Sequence, residues 1–349
     1  MITSTLKLRL NKKQEDTLNT WLWNLTAVYN FGLRKIELNA QDKIYFSNFD
    51  FVNLLADHGK KLGIPSHTIQ GVLSQAYTAW SRCFKKIGGK PRLKGQRNKL
   101  NSIIFPDKIH LPKKNHISIP GIGKIRYHKQ ELPKGNIKCG RIIKRASGWY
   151  LCLFIDAERE AIVRTGYGKI GIDPGFKSLL TLSTGEKIEH PRELEAAGKR
   201  LAQAQRGHDK HLAARLSERR ANRVKDRNHK LSLRLVKENI LIAFSADNHK
   251  GIARKFGKSV SSSGHYQLQK MLSYKSSFCG TQYREIDSRN STKTCSSCGS
   301  LSGPQGWGGL SERQWICSAC GAVLDRDVNA AINTLAAVGA TVEVHHAAA

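Results

Sequence analysis

The chain has 349 residues, which is enough for two or three compact units that each bury a core of their own. Its 58 Lys and Arg residues against 27 Asp and Glu give a net charge of +31, which favours a nucleic-acid partner over a merely solvated surface. No apolar run reaches the ~18 residues of a transmembrane helix and the first residues begin no signal peptide, so we expect a cytoplasmic protein rather than a membrane protein.

One strand and two long helices are predicted in the first hundred residues. Residues 5–10 alternate apolar and polar side chains, as a half-buried strand does. A helix is predicted from Lys12 to about Ala40, because its apolar residues recur every three or four positions. The same spacing predicts a second helix that begins near Ser66, with Ser66 as its cap after Pro65.

Short strands replace helices between residues 100 and 160. Three of them, followed by a hairpin through residues 146–148, predict a small antiparallel barrel. The helices between residues 11 and 98 are then an insertion after its first strand. The predicted strands occupy residues 102–105, 116–119, 123–127, 142–145 and 149–154.

A second domain is predicted to open at residues 169–175, where a short apolar strand ends in Asp173. Residues 179–183 give its next strand, and residues 192–240 are predicted to form long polar helices. These helices carry cations on successive turns with few acids, a pattern that favours phosphate contact over a solvated face. The cations include Arg206, Lys210, Arg215, Arg219, Arg220, Arg223, Lys225, Arg227 and Lys230.

Four of the eight cysteines form two matched Cys-x-x-Cys-Gly knuckles: Cys295, Cys298, Cys317 and Cys320. Each knuckle turns two thiolates toward one point, and four thiolates complete a tetrahedral zinc shell. A redox dithiol does not need two matched pairs. The sequence therefore predicts a structural zinc site, and a closed four-cysteine shell leaves no position for catalysis.

Two acids, Asp325 and Asp327, open a helix directly after these knuckles. Alone they are typical of a helix cap and a first-turn acid. Together with Asp173 they suggest carboxylates that converge on a metal site, since phosphodiester cleavage by two metals requires acids from several segments.

Several motifs resemble those of one family. Residues 170–175 resemble the first segment of an RNase H-like (RuvC-type) nuclease. The two knuckles followed by residues 325–331 are similar to the TnpB signature of a zinc ribbon inserted before the last catalytic segment, and residues 7–10, 91–94 and 272–275 also match. The chain thus resembles, over most of its length, the transposon-encoded RNA-guided TnpB family.

The resemblance implies an α/β multidomain fold in a bacterial, nucleoid-associated protein. It also implies a guide RNA and a double-stranded DNA target as partners, with a short flanking DNA motif that the protein recognises. Gln70, Asn101 and Ser102 lie in regions that resemble the reader of this motif. The implied domains are a wedge-like barrel (1–10 and 99–160), a helical recognition insertion (11–98), a RuvC-like domain (165–290 and 322–340), a zinc ribbon (291–321) and a tail (341–349).

The chain departs from the family in its acids. By resemblance the first and third catalytic acids are Asp173 and Asp327, but Ser245 stands where the middle Glu is usual. One branch of the family supplies that Glu from the strand before the ribbon, in a stretch resembling Glu-Val-x-Glu, where this chain has Glu285 and Ser288 at the two acid positions. If the relocated ligand is the first acid, Glu285 completes the site; if it is the second, the site is broken. A hydroxyl cannot supply the charge that a carboxylate gives to divalent cations.

Three functions fit these patterns. We expect a nuclease-dead, RNA-guided DNA-binding protein that represses transcription by occupying its target. The enzyme alternative is a magnesium-dependent RNA-guided endonuclease that uses Asp173, Asp327 and Glu285. A zinc-ribbon DNA binder without RNA would leave the Asp173 and Asp327 segments unexplained.

Overall fold

The chain forms two compact units that divide between Arg159 and Glu160. No helix in the described part of the chain is long and apolar enough to cross a membrane. The computed structural model describes residues 1–55, 58–106, 109, 115–246, 263–304, 309 and 311–339, without the side chains of residues 192–195.

The first unit contains an antiparallel six-stranded sheet and four helices. The strand order is β2-β5-β6-β1-β4-β3, and the sheet is a curled half-barrel with β2 and β3 at its edges. Its elements are β1 (Ile2–Arg9), α1 (Lys12–Gln41), α2 (Asn48–Asn53), α3 (His58–Leu62), α4 (Ser66–Phe84), β2 (Ser102–Phe105), β3 (His116–Ile119), β4 (Gly123–Tyr127), β5 (Asn136–Arg145) and β6 (Gly148–Asp156).

The helix boundaries of this unit follow local sequence rules, with one correction. Asn11 and Gln14 form a reciprocal capping box at the start of α1, which satisfies two backbone N–H groups that lack helical partners. The expected cap of α4 was wrong by one position, because Pro65 is the N-cap and Ser66 is the first helical residue. The Pro65 carbonyl accepts from the Thr68 N–H at 2.9 Å.

One apolar core joins the helices of the first unit to the inner face of its sheet. The apolar stripes predicted for α1 and α4 are buried except at Phe84, the last residue of α4, which is 57% exposed. They pack on alternate residues of β1, β3, β4 and β6. Outward-facing strand residues remain polar or charged in β1, β3 and β4. The largest fully buried side chains in this core include Leu6, Leu18, Leu22, Leu25, Phe51, Ile69, Leu73, Ile103, Ile117, Ile125 and Ile142.

The second unit contains a mixed five-stranded sheet with the strand order β11-β10-β7-β8-β9. Strand β10 runs parallel to β7 and β11, whereas β8 and β9 pair antiparallel. Its elements are β7 (Gly168–Pro174), β8 (Ser178–Leu182), β9 (Lys187–Glu189), α5 (Arg192–Arg206), α6 (Lys210–Glu238), β10 (Asn239–Ala246), α7 (His265–Cys279), β11 (Gln282–Asp287), β12 (Gln314–Ile316), β13 (Val323–Asp325) and α8 (Arg326–Ala336).

The two faces of this sheet bury different helices. Ile172 and Phe244 are cross-strand partners, both fully buried in the apolar cluster that also holds residues of α6 and α7. Gly171 points to the opposite face, because neighbouring strand residues alternate. A Cβ on Gly171 would meet the Ala331 carbonyl oxygen at 2.0 Å, so α8 lies directly on this face. Only glycine allows so close an approach.

Candidate metal centre and acidic site

The four cysteines of the two knuckles converge. Their sulfur atoms lie within 4.8 Å of one another, with 3.8 Å between the Sγ atoms of Cys295 and Cys320 and 3.6 Å between those of Cys298 and Cys317. They come from two loops built alike, since Gly299 and Gly321 both have a positive φ and each donates its N–H to the first cysteine of its knuckle at 2.8 Å. Glycine adopts this conformation without strain, which explains its place in both motifs.

The surroundings of the cluster shift the pKa values of its cysteines in opposite directions. The hydroxyls of Ser300 and Ser302 lie 3.2 Å and 3.1 Å from the sulfur of Cys317 and lower its pKa to about 5. The Ala322 N–H acts to lower the pKa of Cys320, but proton sharing with Cys298 and Cys317 outweighs it and raises this pKa to about 12. Four thiolates cannot crowd together without a positive ion. The donor set therefore fits tetrahedral Zn²⁺.

Helix α8 is joined to the first knuckle by two asparagines. Asn329, which is 1% exposed, accepts from the Ser296 N–H at 2.8 Å and donates to the Thr294 carbonyl at 2.8 Å. Asn333 donates to the same carbonyl at 2.7 Å and to the Ser291 carbonyl at 2.8 Å. The sequence identified the motif around Asn329 but not this role. Buried amides must be satisfied, and here they couple the cysteine cluster to the helix that carries Asp327.

Asp325 and Asp327 differ in their surroundings. Asp325 is the N-cap of α8, accepts from the N–H groups of Asp327 and Val328, and pairs with Lys187 at 2.7 Å. Burial acts to raise the pKa of Asp325, but these hydrogen bonds and the Lys187 charge together lower it. Asp327 is 21% exposed, and its carboxylate lies 3.3 Å from the Arg313 guanidinium. Asp325 is therefore used in capping, while Asp327 faces a cation.

Asp173 and Ser245 share the face of the sheet that α8 covers. Asp173 is two residues beyond Gly171 on β7, and strand alternation assigns it to the same face. Ser245 follows Phe244, the partner of Ile172, and therefore lies on the Asp173 face as well. Ser245 is fully buried, and its hydroxyl has no hydrogen-bond partner among the described residues.

Glu285 lies on the other face. It is the cross-strand partner of Phe244, so it shares the side of the sheet that buries Ile172. Its carboxylate accepts from the Tyr283 hydroxyl at 3.4 Å. Burial, followed by the Glu285 charge, raises the pKa of Tyr283. The strand register therefore brings Asp173 and Ser245 to one face and separates them from Glu285.

Ser288 follows the end of β11 by one residue. Ile286, two residues before it, is the cross-strand partner of Ser245, but Ser288 itself lies outside the paired strand. Within the described residues, the four cysteines are the only group of three or more His, Cys, Asp or Glu side chains arranged to hold one metal ion. Asp247, another acid in this region, lies outside the described residues.

The cations predicted to contact nucleic acid have different environments on α6. Arg219 and Arg223 are exposed and Arg220 is half-buried. Arg227 donates to the Ser263 carbonyl and, at 3.1 Å, to Asn228, and burial lowers its pKa. Lys230 pairs with Asp226 at 2.8 Å. Arg219, Arg223 and Lys230 are thus exposed, and of these Lys230 is paired with an acid.

The three residues predicted to read a DNA motif lie in the first unit. Gln70, on α4, donates to the Asn53 side chain at 2.9 Å. Asn101 is exposed just before β2, where its carbonyl accepts from the Lys144 N–H at 2.8 Å. Ser102 opens β2 opposite Ile143. Gly71, beside Gln70, lies against Ile104, so α4 packs near β2.

Known families match two parts of the chain. Residues 265–334 match the model described as "Cas12f1-like, TNB domain", and residues 155–246 match the OrfB model described as "Probable transposase". The first match spans the cysteine knuckles and α8, and the second spans β7 to β10.

Curated relatives extend the similarity over most of the chain. A protein of Streptomyces pristinaespiralis, named as an RNA-guided DNA endonuclease, is 31% identical over 295 residues, which cover 78% of this chain and 72% of the relative. InsQ of Escherichia coli, named in the same way, is 25% identical over 303 residues, covering 78% and 74%.

Solved structures give a weaker match. A cryo-EM structure of a Cas12f1-sgRNA-target DNA complex covers 96% of this chain and 99% of that chain, at 18% identity and a TM-score of 0.39. A CRISPR-Cas12f ternary complex covers 92% and 81%, at 15% identity and the same TM-score of 0.39. The sequence relatives carry the assignment: this chain belongs to the TnpB family.

Proposed function

We propose that this protein binds a guide RNA and, through it, a matching DNA duplex, and that it occupies the target without cutting it. Such a complex represses transcription where its target overlaps a promoter. The observation that carries this proposal is the strand register, which separates Glu285 from Asp173 and leaves Ser245 on the face of Asp173.

Two-metal cleavage needs several carboxylates around one point. On the face of Asp173, the usual position of the middle acid carries the hydroxyl of Ser245, and a neutral hydroxyl does not offset the charge of a divalent ion. Glu285 on the opposite face does not complete the set. Within the described residues the acids therefore do not fit a two-magnesium centre, whereas Cys295, Cys298, Cys317 and Cys320 fit a structural Zn²⁺ that holds the adjacent segment of α8.

The domain assignments are part of this proposal. The six-stranded sheet is the wedge-like barrel (1–10 and 99–160) with its helical recognition insertion (11–98). The five-stranded sheet and α8 are the RuvC-like domain (165–290 and 322–340), interrupted by the zinc ribbon (291–321), and residues 341–349 are a tail. Base pairing with the guide reads the target, while the protein contributes phosphate contacts and reads a short flanking motif.

The second candidate is a magnesium-dependent RNA-guided DNA endonuclease. The names of the curated relatives favour it, and Asp173 and Asp327 are both retained. It requires Glu285, or an acid outside the described residues, to reach the two aspartates.

One reconstitution separates the two candidates. The RNA that copurifies with the protein is sequenced, and the complex is incubated with a plasmid that carries the matching sequence, with and without magnesium. We expect binding that depends on the guide, no nicking or cutting, and equal binding by Asp173→Ala. Guide-dependent cutting that Asp173→Ala abolishes would establish the endonuclease. Absence of any discrete RNA would instead favour a zinc-ribbon DNA binder.

The flanking-motif reader is tested on the same complex. Gln70→Ala should lower affinity for the matched plasmid by roughly tenfold while RNA affinity is unchanged, because an amide can pair with a base edge. Asn101→Ala and Ser102→Ala test the neighbouring positions. Equal loss of RNA and DNA binding would assign Gln70 to its contact with Asn53 instead.

A further inference from the structure

Two arginines lie directly opposite each other on the outer face of the six-stranded sheet. Arg9 on β1 is the cross-strand partner of Arg126 on β4, and Arg126 is the partner of His116 on β3. Cross-strand partners have Cβ atoms about 5 Å apart, and like charges in this arrangement are destabilising. Both arginines are exposed, and no ion pair among the described residues includes either of them.

A histidine holds each guanidinium. The Nε of Arg9 donates to Nε2 of His128 at 3.2 Å, and the Nε of Arg126 donates to Nε2 of His116 at 3.2 Å. Since a guanidinium has five N–H donors, each arginine keeps donors on its Nη atoms for a further acceptor. The histidines therefore orient the two arginines without neutralising them.

A cavity of about 260 Å³ lies between these groups, lined by Arg9, Asn115, His116, Arg126 and Tyr127. It is too small for a drug-sized ligand, whose pockets start at about 300 Å³, but a single tetrahedral anion fits. Lys7 and Lys124, two residues from Arg9 and Arg126, are exposed on the same face. The positive charge thus continues along both strands, as a chain of phosphates requires and a lone small anion does not.

We propose that Arg9 and Arg126, held by His128 and His116, bind a phosphodiester group of nucleic acid on this face. Paired guanidiniums recognise phosphate oxygens with directional, charge-assisted hydrogen bonds, and the phosphate relieves the repulsion between them. His116 and His128 are positioning residues. Whether the phosphodiester comes from RNA or from DNA is decided by experiment, and only its identification as guide or target rests on the proposed function.

The test uses the full chain without its guide, so that it is independent of guided binding. Affinities for a single-stranded RNA and for a DNA duplex, both of mixed sequence, are measured over a range of salt concentrations. Arg9→Gln and Arg126→Gln should each lower affinity by roughly tenfold. Each should also reduce the slope of log affinity against log salt by about 0.7 for the single strand or about 0.9 for the duplex.

Matched control variants distinguish a specific phosphate site from the general positive charge of the surface. Arg34→Gln removes an exposed arginine from α1 of the same unit and should change affinity far less. Arg9→Lys keeps the charge but lacks the planar fork, so affinity should fall while the salt slope is nearly retained. His128→Ala should behave like Arg9→Lys, because it frees the guanidinium without removing charge.

The losses of binding show which nucleic acid supplies the phosphodiester. Loss of RNA binding alone assigns the phosphodiester to RNA, loss of duplex binding alone assigns it to DNA, and equal losses assign it to both. Arg9→Gln and Arg126→Gln should also unfold at the same temperature as the parent or higher, since each removes a repulsion. If neither variant differs from Arg34→Gln on either nucleic acid, the two arginines are a solvated surface and the proposal is wrong.

Discussion

The cysteine cluster and the acidic residues of the second unit are assembled in opposite ways. The four cysteines come from two short loops of the same design, and each loop contains the glycine and the backbone hydrogen bonds that fix it. The acids come from β7, β11 and α8, and only the pairing of distant strands determines which of them meet. A site within a local motif can be predicted by counting residues. A site spread over a sheet depends on the face that each strand residue occupies.

The largest effect is expected when the cluster loses one ligand. Cys298→Ser should remove zinc and unfold the ribbon, because apparent zinc binding contributes about 10–16 kcal/mol in small zinc domains. Metal analysis of the purified protein measures its zinc content. Cys83→Ser, at a half-buried cysteine of the first unit, should leave the zinc content unchanged. Stoichiometric zinc in Cys298→Ser would contradict the four-cysteine site.

The next largest effect, on the free energy of unfolding, is expected at the contact between α8 and the sheet. Gly171→Ala should lower the free energy of unfolding by about 1–3 kcal/mol or more, because its Cβ would overlap the Ala331 carbonyl and push α8 from β7. Gly198→Ala is the matched control, since open space surrounds that helical glycine, and it should raise stability by about 0.5–1 kcal/mol. Thermal unfolding measures both. Equal behaviour of the two variants would show that α8 does not rest on this face.

A smaller loss of stability is expected at the hydrogen bonds that join α8 to the cysteine cluster. Asn329→Ala should cost about 1–3 kcal/mol, since it leaves the half-buried Ser296 N–H without its acceptor. It should also speed the transfer of zinc to a chelator. Asn333→Ala should have a smaller effect, because Asn329 still donates to the Thr294 and Ser291 carbonyls. Equal zinc transfer rates in all three proteins would show that α8 and the cluster are independent.

The cations of α6 are close together in sequence but differ in environment. Joint replacement of Arg219, Arg220 and Arg223 by Gln should flatten the salt dependence of duplex binding by up to about 0.9 per lost phosphate contact. Arg227→Gln should instead lower the unfolding temperature and keep the slope, because Arg227 is bound to Ser263 and Asn228. An unchanged slope in the triple variant would make these arginines a solvated helix face.

The smallest effect is expected at Glu285. Glu285→Gln should leave guided binding unchanged and produce no change in plasmid integrity, since Glu285 faces away from Asp173. Ser288→Glu, which restores the second acid of the stretch before the ribbon, is the sharper variant. Magnesium-dependent nicking by Ser288→Glu but not by the parent would support the hypothesis that this chain has lost a metal-binding carboxylate. Cutting by the parent that Glu285→Gln abolishes would contradict the proposed function.

The sequence by itself determined the features that depend on neighbouring residues. Helix α1, the hairpin of β5 and β6 and the cysteine cluster follow from apolar spacing, turn residues and paired knuckles, and the structure confirms these elements. The order of motifs also identified the TnpB family, which the curated relatives confirm. The domain boundaries and the roles of the acids remain predictions.

Only the tertiary structure decided which distant residues share a surface. Spacing cannot show that Glu285 pairs with Phe244, that Arg9 lies opposite Arg126, or that Arg227 turns inward, since each depends on strand register or helix packing. A shift of one residue along β11 would move Glu285 to the other face at almost no change in local sequence preference. Register is fixed by the buried apolar partners across the whole sheet, and that long-range constraint is invisible in any single segment.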